Sequence, residues 1–243
     1  MRPPPDDGLK QVIISNIGRT RYADAWKLQQ EFWQARHAGL IGDLLLFAEH
    51  EHVYTVGKGG DDNHLLASGN ELQQAGVDLY HVDRGGDVTY HGPGQIVGYP
   101  ILDLNNHFLD LHRYLRSLEE VLICTLRDFG IEAKREEGLT GVWVNGDKIA
   151  ALGVKVSRWI TMHGFALNVN TELSRFDRII PCGIFHKGVT SMQQVLQREL
   201  QLDEVQDRLT NAFGVVFECR PEQVPFADLR LRIPGQEIHQ MNH

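Results

Sequence analysis

Apolar residues along this chain change spacing repeatedly, and the changes mark its elements. From about residue 20 to 37, Ala25, Leu28, Phe32 and Ala35 recur at helical spacing, and Gly39 stands where a helix C-cap belongs. Leu111, Leu115, Leu118, Leu122 and Leu126 form one stripe, predicting a helix over 109–129 that ends at Gly130. Short apolar runs predict strands at 11–17, 43–49, 52–56, 77–82 and 96–102. Val142-Trp143-Val144 and Lys148-Ile149-Ala150 flank Asn145-Gly146, whose residues supply the positive φ angles of a tight hairpin turn. The second strand runs on through Val154-Lys155-Val156, turns near Arg158 and returns over 159–168. Two more helices are expected near 191–200 and 205–213, the latter opened by an Asp203/Gln206 capping box. Residues 61–77 read as polar with one helical piece around Leu72, and the last 25 residues show no readable pattern. Helices and hairpin-linked strands are interleaved without strict alternation. That predicts an α/β protein with a mixed sheet packed by helices, not a doubly wound sheet.

Composition narrows the class. The chain has 243 residues, 42% of them hydrophobic, so one domain with a full core is expected over 11–243, behind a loose tail at 1–10. A formal charge of -8 argues against a general nucleic-acid binder. No apolar run reaches the roughly 18 residues of a membrane span. The start, Met1-Arg2-Pro3-Pro4-Pro5-Asp6-Asp7, lacks an apolar signal core. Cys124, Cys182 and Cys219 are odd in number and widely spaced, which disfavours a disulfide framework. A cytoplasmic protein is expected.

Several residues could carry chemistry. Cys182 lies between Pro181 and Gly183 in a polar stretch, 170–191, that reads as a long loop; such loops in compact domains are usually functional or disordered. Cys124 sits on an amphipathic helix and Cys219 follows an apolar run, so both read as small core hydrophobes. A thiol needs a cation or base to be reactive at neutral pH. Lys148, just after a rigid turn, is a candidate cation; a solvated hairpin lysine is the bland alternative. An ammonium about 4 Å from a thiolate is worth up to roughly 4 kcal/mol at an effective dielectric near 20, enough to lower the thiol pKa by about two or three units. Arg84 to Gln95 holds two adjacent glycines and then Gly-Pro-Gly, with His91 as a polar group inside it; such backbone can approach a ligand closely. It opens no helix, so it is a poor dinucleotide fingerprint, and no P-loop spacing occurs. Ala151, Gly153, Gly164 and Ala166 put small residues on one strand face each, where they wall a tunnel or allow close packing. His50 and His52 invite a metal reading, but further ligands are not evident and no metal is expected. Arg175, Arg178 and Lys187 place positive charge around Cys182, a possible dock for an acidic partner.

Together these segments resemble the octanoyl-acyl-carrier-protein:protein octanoyltransferase family, also called lipoate-protein ligase B. The resemblance rests on Arg84-Gly85-Gly86-Asp87-Val88-Thr89-Tyr90-His91-Gly92-Pro93-Gly94-Gln95, Lys148-Ile149-Ala150-Ala151-Leu152-Gly153, His163-Gly164-Phe165-Ala166-Leu167-Asn168-Val169 and Pro181-Cys182-Gly183-Ile184, in that order. It covers about residues 20–210. It implies the α/β fold shared by biotin and lipoate protein ligases. It also implies Cys182 as acyl-thioester nucleophile, Lys148 as the lysine that lowers its pKa, and acyl-substrate segments Arg84 to His91, Ala151 to Gly153 and Gly164 to Ala166. The implied donor is octanoyl-acyl carrier protein, and the implied acceptors are lipoyl domains of 2-oxoacid dehydrogenases and the glycine cleavage H protein. No cofactor is implied, because a thioester is already activated. Two other readings stay open: an ATP-dependent lipoate or biotin ligase on the same fold, which would release pyrophosphate, and a non-catalytic acyl- or lipoyl-domain binding module. A thiol hydrolase is a weaker reading, because no Cys-His-Asn arrangement can be placed.

Overall fold

The computed structural model describes residues 8–67, 69–180 and 188–233, without the side chains of Asp62 and Gln73. In chain order the elements are β1 (Lys10–Thr20), α1 (Tyr22–His37), β2 (Asp43–His50), β3 (Val53–Val56), α2 (Gly69–Gln74), β4 (Asp78–His81), β5 (Val88–His91), β6 (Gln95–Ile101), α3 (Leu111–Asp128), β7 (Val142–Val144), β8 (Asp147–Ser157), β9 (Ile160–Asn168), α4 (Met192–Leu196), α5 (Leu202–Val216), β10 (Cys219–Gln223) and α6 (Phe226–Leu231). A seven-stranded sheet runs β10-β1-β2-β6-β9-β8-β7, and a three-stranded sheet runs β4-β3-β5. β1 pairs in parallel with both β10 and β2, while β6 to β9 pair antiparallel. The large sheet is therefore mixed, as the interleaved pattern predicts.

Helices cover both faces of the large sheet, and the apolar run in β2 shows why. Leu45 and Phe47 join a core with Leu118, Leu122 and Leu126 of α3 and Val205, Leu209 and Phe213 of α5. Leu44, Leu46 and Ala48 point the other way, into a core with Ala25, Leu28 and Phe32 of α1. A strand buried on both faces reads as continuously apolar. The small sheet has its own core, in which Tyr54, Val88 and Tyr90 meet Leu72 of α2 and Phe176.

Several boundaries depart from the sequence pattern for local reasons. α3 starts at Leu111 because the Asp110 carboxylate accepts the Arg113 N–H at 3.0 Å as its cap, leaving Leu109 and Leu111 exposed. The Asp203/Gln206 box is not formed: α5 begins at Leu202 after Gln201, and Asp203 sits in the first turn, where its charge suits the helix dipole. The stretch 170–191 is not loop throughout, since Leu173–Arg178 forms a 3-10 turn. β10 and α6 fill the C-terminal region that shows no pattern; β10 carries Pro221 on the sheet edge, where a missing N–H costs no ladder bond. Arg158 and Trp159 both take positive φ, making the tight β8–β9 turn.

Candidate active site

The two sheets meet around a cavity of about 280 Å³. Its floor is the α1-facing side of the large sheet. Val97 and Tyr99 of β6 line it, with Ala166 of β9 and Ala151 and Gly153 of β8. Ala151 faces Ala166 across the ladder, and Gly153 faces Gly164. Directly paired residues share a face, so the small residues stack into one trough. Gly153 is needed by its neighbours: a Cβ there would lie 2.8 Å from the Gly85 carbonyl and 2.9 Å from Arg84 Cδ. Gly164 has no room either, because a Cβ would overlap the Gly98 carbonyl. Leu152 and Phe165, the alternate residues, belong to the α3-side core and also reach the cavity lining.

The opposite wall is the segment from Arg84 to His91. Gly85 N–H donates to the Val154 carbonyl at 2.9 Å, tying this wall to β8. Gly86 has φ +88°, a conformation that favours glycine. The Arg84 guanidinium is buried and donates to the Thr55 carbonyl at 2.7 Å and its hydroxyl at 2.8 Å. Asp87 accepts from Val88 N–H at 2.7 Å and meets His64 Nδ1 at 2.6 Å. Thr89 and His91 line the cavity, as do Arg84, Gly86, Asp87 and Val88. Tyr90 does not: strand alternation sends it into the small-sheet core, with its hydroxyl 2.6 Å from His52 Nδ1.

Lys148 enters from the hairpin. Asn145, at φ 51°, and Gly146 make the turn, and Lys148 stands opposite Trp143. Its side chain is only 8% exposed and lines the cavity, with the ammonium 4.7 Å from the Trp143 ring centroid. A cation over an indole face is held by the ring quadrupole. Gly141 lets the chain pass over the lysine stem; a Cβ there would lie 3.3 Å from Lys148 Cε.

Cys182 lies outside the described residues, but the chain on both sides of it is anchored to this cavity. Before it, Ile180 N–H donates to the His64 carbonyl at 2.8 Å, and Ile179 bridges Leu65. After it, Lys148 N–H donates to the Gly188 carbonyl and Thr190 N–H donates to the Lys148 carbonyl, both at 3.0 Å. Phe176 on one side and Val189 on the other line the cavity. Arg175 pairs with Glu172 at 3.0 Å and the Arg178 carbonyl accepts from Leu66 N–H; Lys187 lies outside the described residues.

A buried aromatic and histidine cluster borders the cavity. Tyr22 stacks on His91 at 5.9 Å, and His50 meets both rings. His50 donates from Nδ1 to the Thr20 carbonyl at 3.1 Å and takes the Tyr99 hydroxyl on Nε2 at 2.6 Å. Burial pushes the His50 pKa down to about 4 and that of His91 to about 3. Asp83 is held well below the usual carboxylate range by its hydrogen bond from His163 at 2.7 Å and by Lys155. His50 and His52 do not share a strand face as a metal pair would need: β2 ends at His50, and each ring is engaged by a tyrosine. Among the described residues no group of three His, Cys, Asp or Glu could hold a metal ion.

The sequence reading missed Tyr22, Val97 and Tyr99 as lining residues, along with Gln95, Asn168 and the strap Gly138-Leu139-Thr140. Gln95, Val97 and Tyr99 alternate along β6, so the period of two could have found them. Tyr22, at a helix start, and the strap carry no local signal.

Comparison with known proteins gives the chain a family and its fold a set of neighbours. Residues 21–214 match the family described as the lipoyl protein ligase A/B catalytic domain. A protein of Christiangramia forsetii named octanoyltransferase is 48% identical over 227 residues, covering 86% of this chain and 97% of its own. Another so named, from Rubrobacter xylanophilus, is 53% identical over 201 residues, covering 82% and 90%. In fold, a lipoate-protein ligase A solved with bound ATP superposes with a TM-score of 0.71 at 15% identity, covering 92% of each chain. The chain belongs to the lipoyl protein ligase A/B catalytic domain family.

Proposed function

We propose that this protein is an octanoyltransferase that moves an octanoyl group from octanoyl-acyl carrier protein to a lysine of lipoyl domains, through a Cys182 thioester. The observation that carries the reading is the tie between Lys148 and the chain after Cys182: the lysine lines an apolar trough, and its backbone pairs with Gly188 and Thr190. Support for the acyl group comes from the relatives' name and from the Gly/Ala walls of the cavity. The thiolate of Cys182, favoured by the Lys148 ammonium, attacks the thioester carbonyl; the C–S bond to the carrier breaks, and the carrier leaves as its thiol with the proton that Lys148 gives up. The lysine amine of the lipoyl domain then attacks the new thioester, expels the Cys182 thiolate and forms an amide. Lys148, left as the neutral amine by the first half-reaction, accepts the proton this amine must lose, which restores the ammonium beside the Cys182 thiolate. Backbone N–H groups near Cys182 or in the glycine-rich turns stabilise the oxyanion.

Burying about seven apolar carbons at roughly 0.8 kcal/mol each gives on the order of 5 kcal/mol for chain selection. The expected acceptors are lipoyl domains of 2-oxoacid dehydrogenases and the glycine cleavage H protein, and Arg175 and Arg178 are the described cations nearest in sequence to Cys182 for docking an acidic partner. Among the described residues no helix is long and apolar enough to cross a membrane, and Cys124 and Cys219 are free thiols; a reducing cytoplasm fits both. The test is Cys182→Ser with octanoyl-carrier protein and a lipoyl domain. Loss of transfer supports the nucleophile; turnover at the wild-type rate rejects it.

A further inference from the structure

A buried chain of hydrogen bonds connects the Lys148 strand to His91, and the chemistry above leaves it unused. It begins where Thr190 N–H donates to the Lys148 carbonyl. The Thr190 carbonyl can only accept, and it takes Nδ2–H of Asn168 at 3.0 Å. That turns Oδ1 of Asn168 toward Gln95, whose Nε2–H donates to it at 2.9 Å. The same Nε2 donates to the Tyr90 carbonyl at 3.2 Å, so two acceptors pin the Gln95 amide. Oε1 of Gln95 therefore faces Nδ1 of His91 at 2.7 Å, and that nitrogen must carry the proton. All three side chains are buried and line the cavity. Nε2 of His91 has no hydrogen-bond partner among the described residues, and it is not among the polar atoms sealed from any surface.

We infer that Gln95 and Asn168 are positioning residues that lock His91 as its Nδ1–H tautomer, so that its Nε2 lone pair faces the acyl cavity as acceptor for an N–H of the incoming primary amine. The inference rests on the transfer reaction proposed above. Of the two reactants, only the amine brings a donor to the reacting centre, because a thioester has no hydrogen on sulfur or carbonyl. An attacking amine directs its lone pair at the carbonyl carbon and its N–H bonds away from it. An acceptor fixed behind the nitrogen therefore aims the nucleophile. His91 takes no proton in this role.

The test joins a spectroscopic and a kinetic reading on the full chain. In the ¹⁵N spectrum, wild-type His91 is expected to show a pyrrole-like Nδ1 and a pyridine-like Nε2. Gln95→Leu and Asn168→Leu should erode that pattern. They should also slow lipoyl-domain attack on preformed octanoyl-enzyme by about tenfold more than they slow acylation of Cys182, the loss expected from one hydrogen bond. An Nε2–H tautomer in the wild type overturns the inference whether or not a variant folds, and so does equal slowing of both half-reactions. Failure of the wild type to form octanoyl-Cys182 would instead reject the transfer reading and leave the tautomer result standing.

Discussion

Ala151→Leu should shorten the acyl chain this protein prefers. Ala151 lines the cavity and faces Ala166 across the β8–β9 ladder, so nothing larger than a methyl stands on either side of the trough there. The leucine adds three carbons to that wall. They take the room of about three acyl methylenes, each worth about 0.8 kcal/mol when buried. The octanoyl donor loses about 2.4 kcal/mol relative to a chain three carbons shorter, or about 60-fold in kcat/KM at 1.36 kcal/mol per decade. The assay is a competition: equimolar octanoyl- and pentanoyl-carrier protein with a lipoyl domain, the products counted by mass. Overpacking costs about 1–3 kcal/mol of stability, so urea unfolding must first show that the variant is folded. A folded Ala151→Leu protein with an unchanged octanoyl preference would refute the placement of the chain in this trough.

Other outcomes follow from the same geometry. Lys148→Ala should raise the Cys182 thiol pKa by about two or three units, read as a shift in the pH dependence of alkylation; an unchanged titration curve rejects the electrostatic role. Gly98→Ala should destabilise by about 1–3 kcal/mol, because a Cβ there overlaps the Phe165 ring; a urea midpoint equal to wild type contradicts the packing. Burial lowers the folded pKa of His50 to about 4 and of His91 to about 3, so between those values and the unfolded value near 6.5 the unfolded chain binds more protons. Stability should fall as pH drops through that window, by roughly 2 kcal/mol for each histidine at pH 5, and a denaturation midpoint that rises on acidification opposes this.

The fold was legible wherever a local period mattered. The α3 stripe, the Asn145-Gly146 hairpin and the doubly buried run in β2 all write their environment into neighbouring residues. β10 left no such trace, because its parallel pairing with β1 is made by residues some two hundred positions away, and its Pro221 reads against a strand. The division into two sheets was equally hidden: β3 and β5 look like any other short strands, and nothing local in them says that they pair with each other and β4 and not with the large sheet. At the site, the Gly/Ala faces and Lys148 were readable because small residues and a charge at a turn are conspicuous. Tyr22, Tyr99 and Asn168 were not, since a tyrosine or asparagine at a strand or helix end has many ordinary uses. Tyr90 shows the converse. It sits between Thr89 and His91, which both line the cavity, yet the period of two turns it away.

The central claim is a covalent octanoyl group on one sulfur, and intact mass with peptide mapping tests it most directly. Incubated with octanoyl-carrier protein and no ATP, the wild-type chain should gain one octanoyl group on the peptide holding Cys182, and lose it when a lipoyl domain is added. No mass gain, together with pyrophosphate release from ATP and free octanoate, would contradict it.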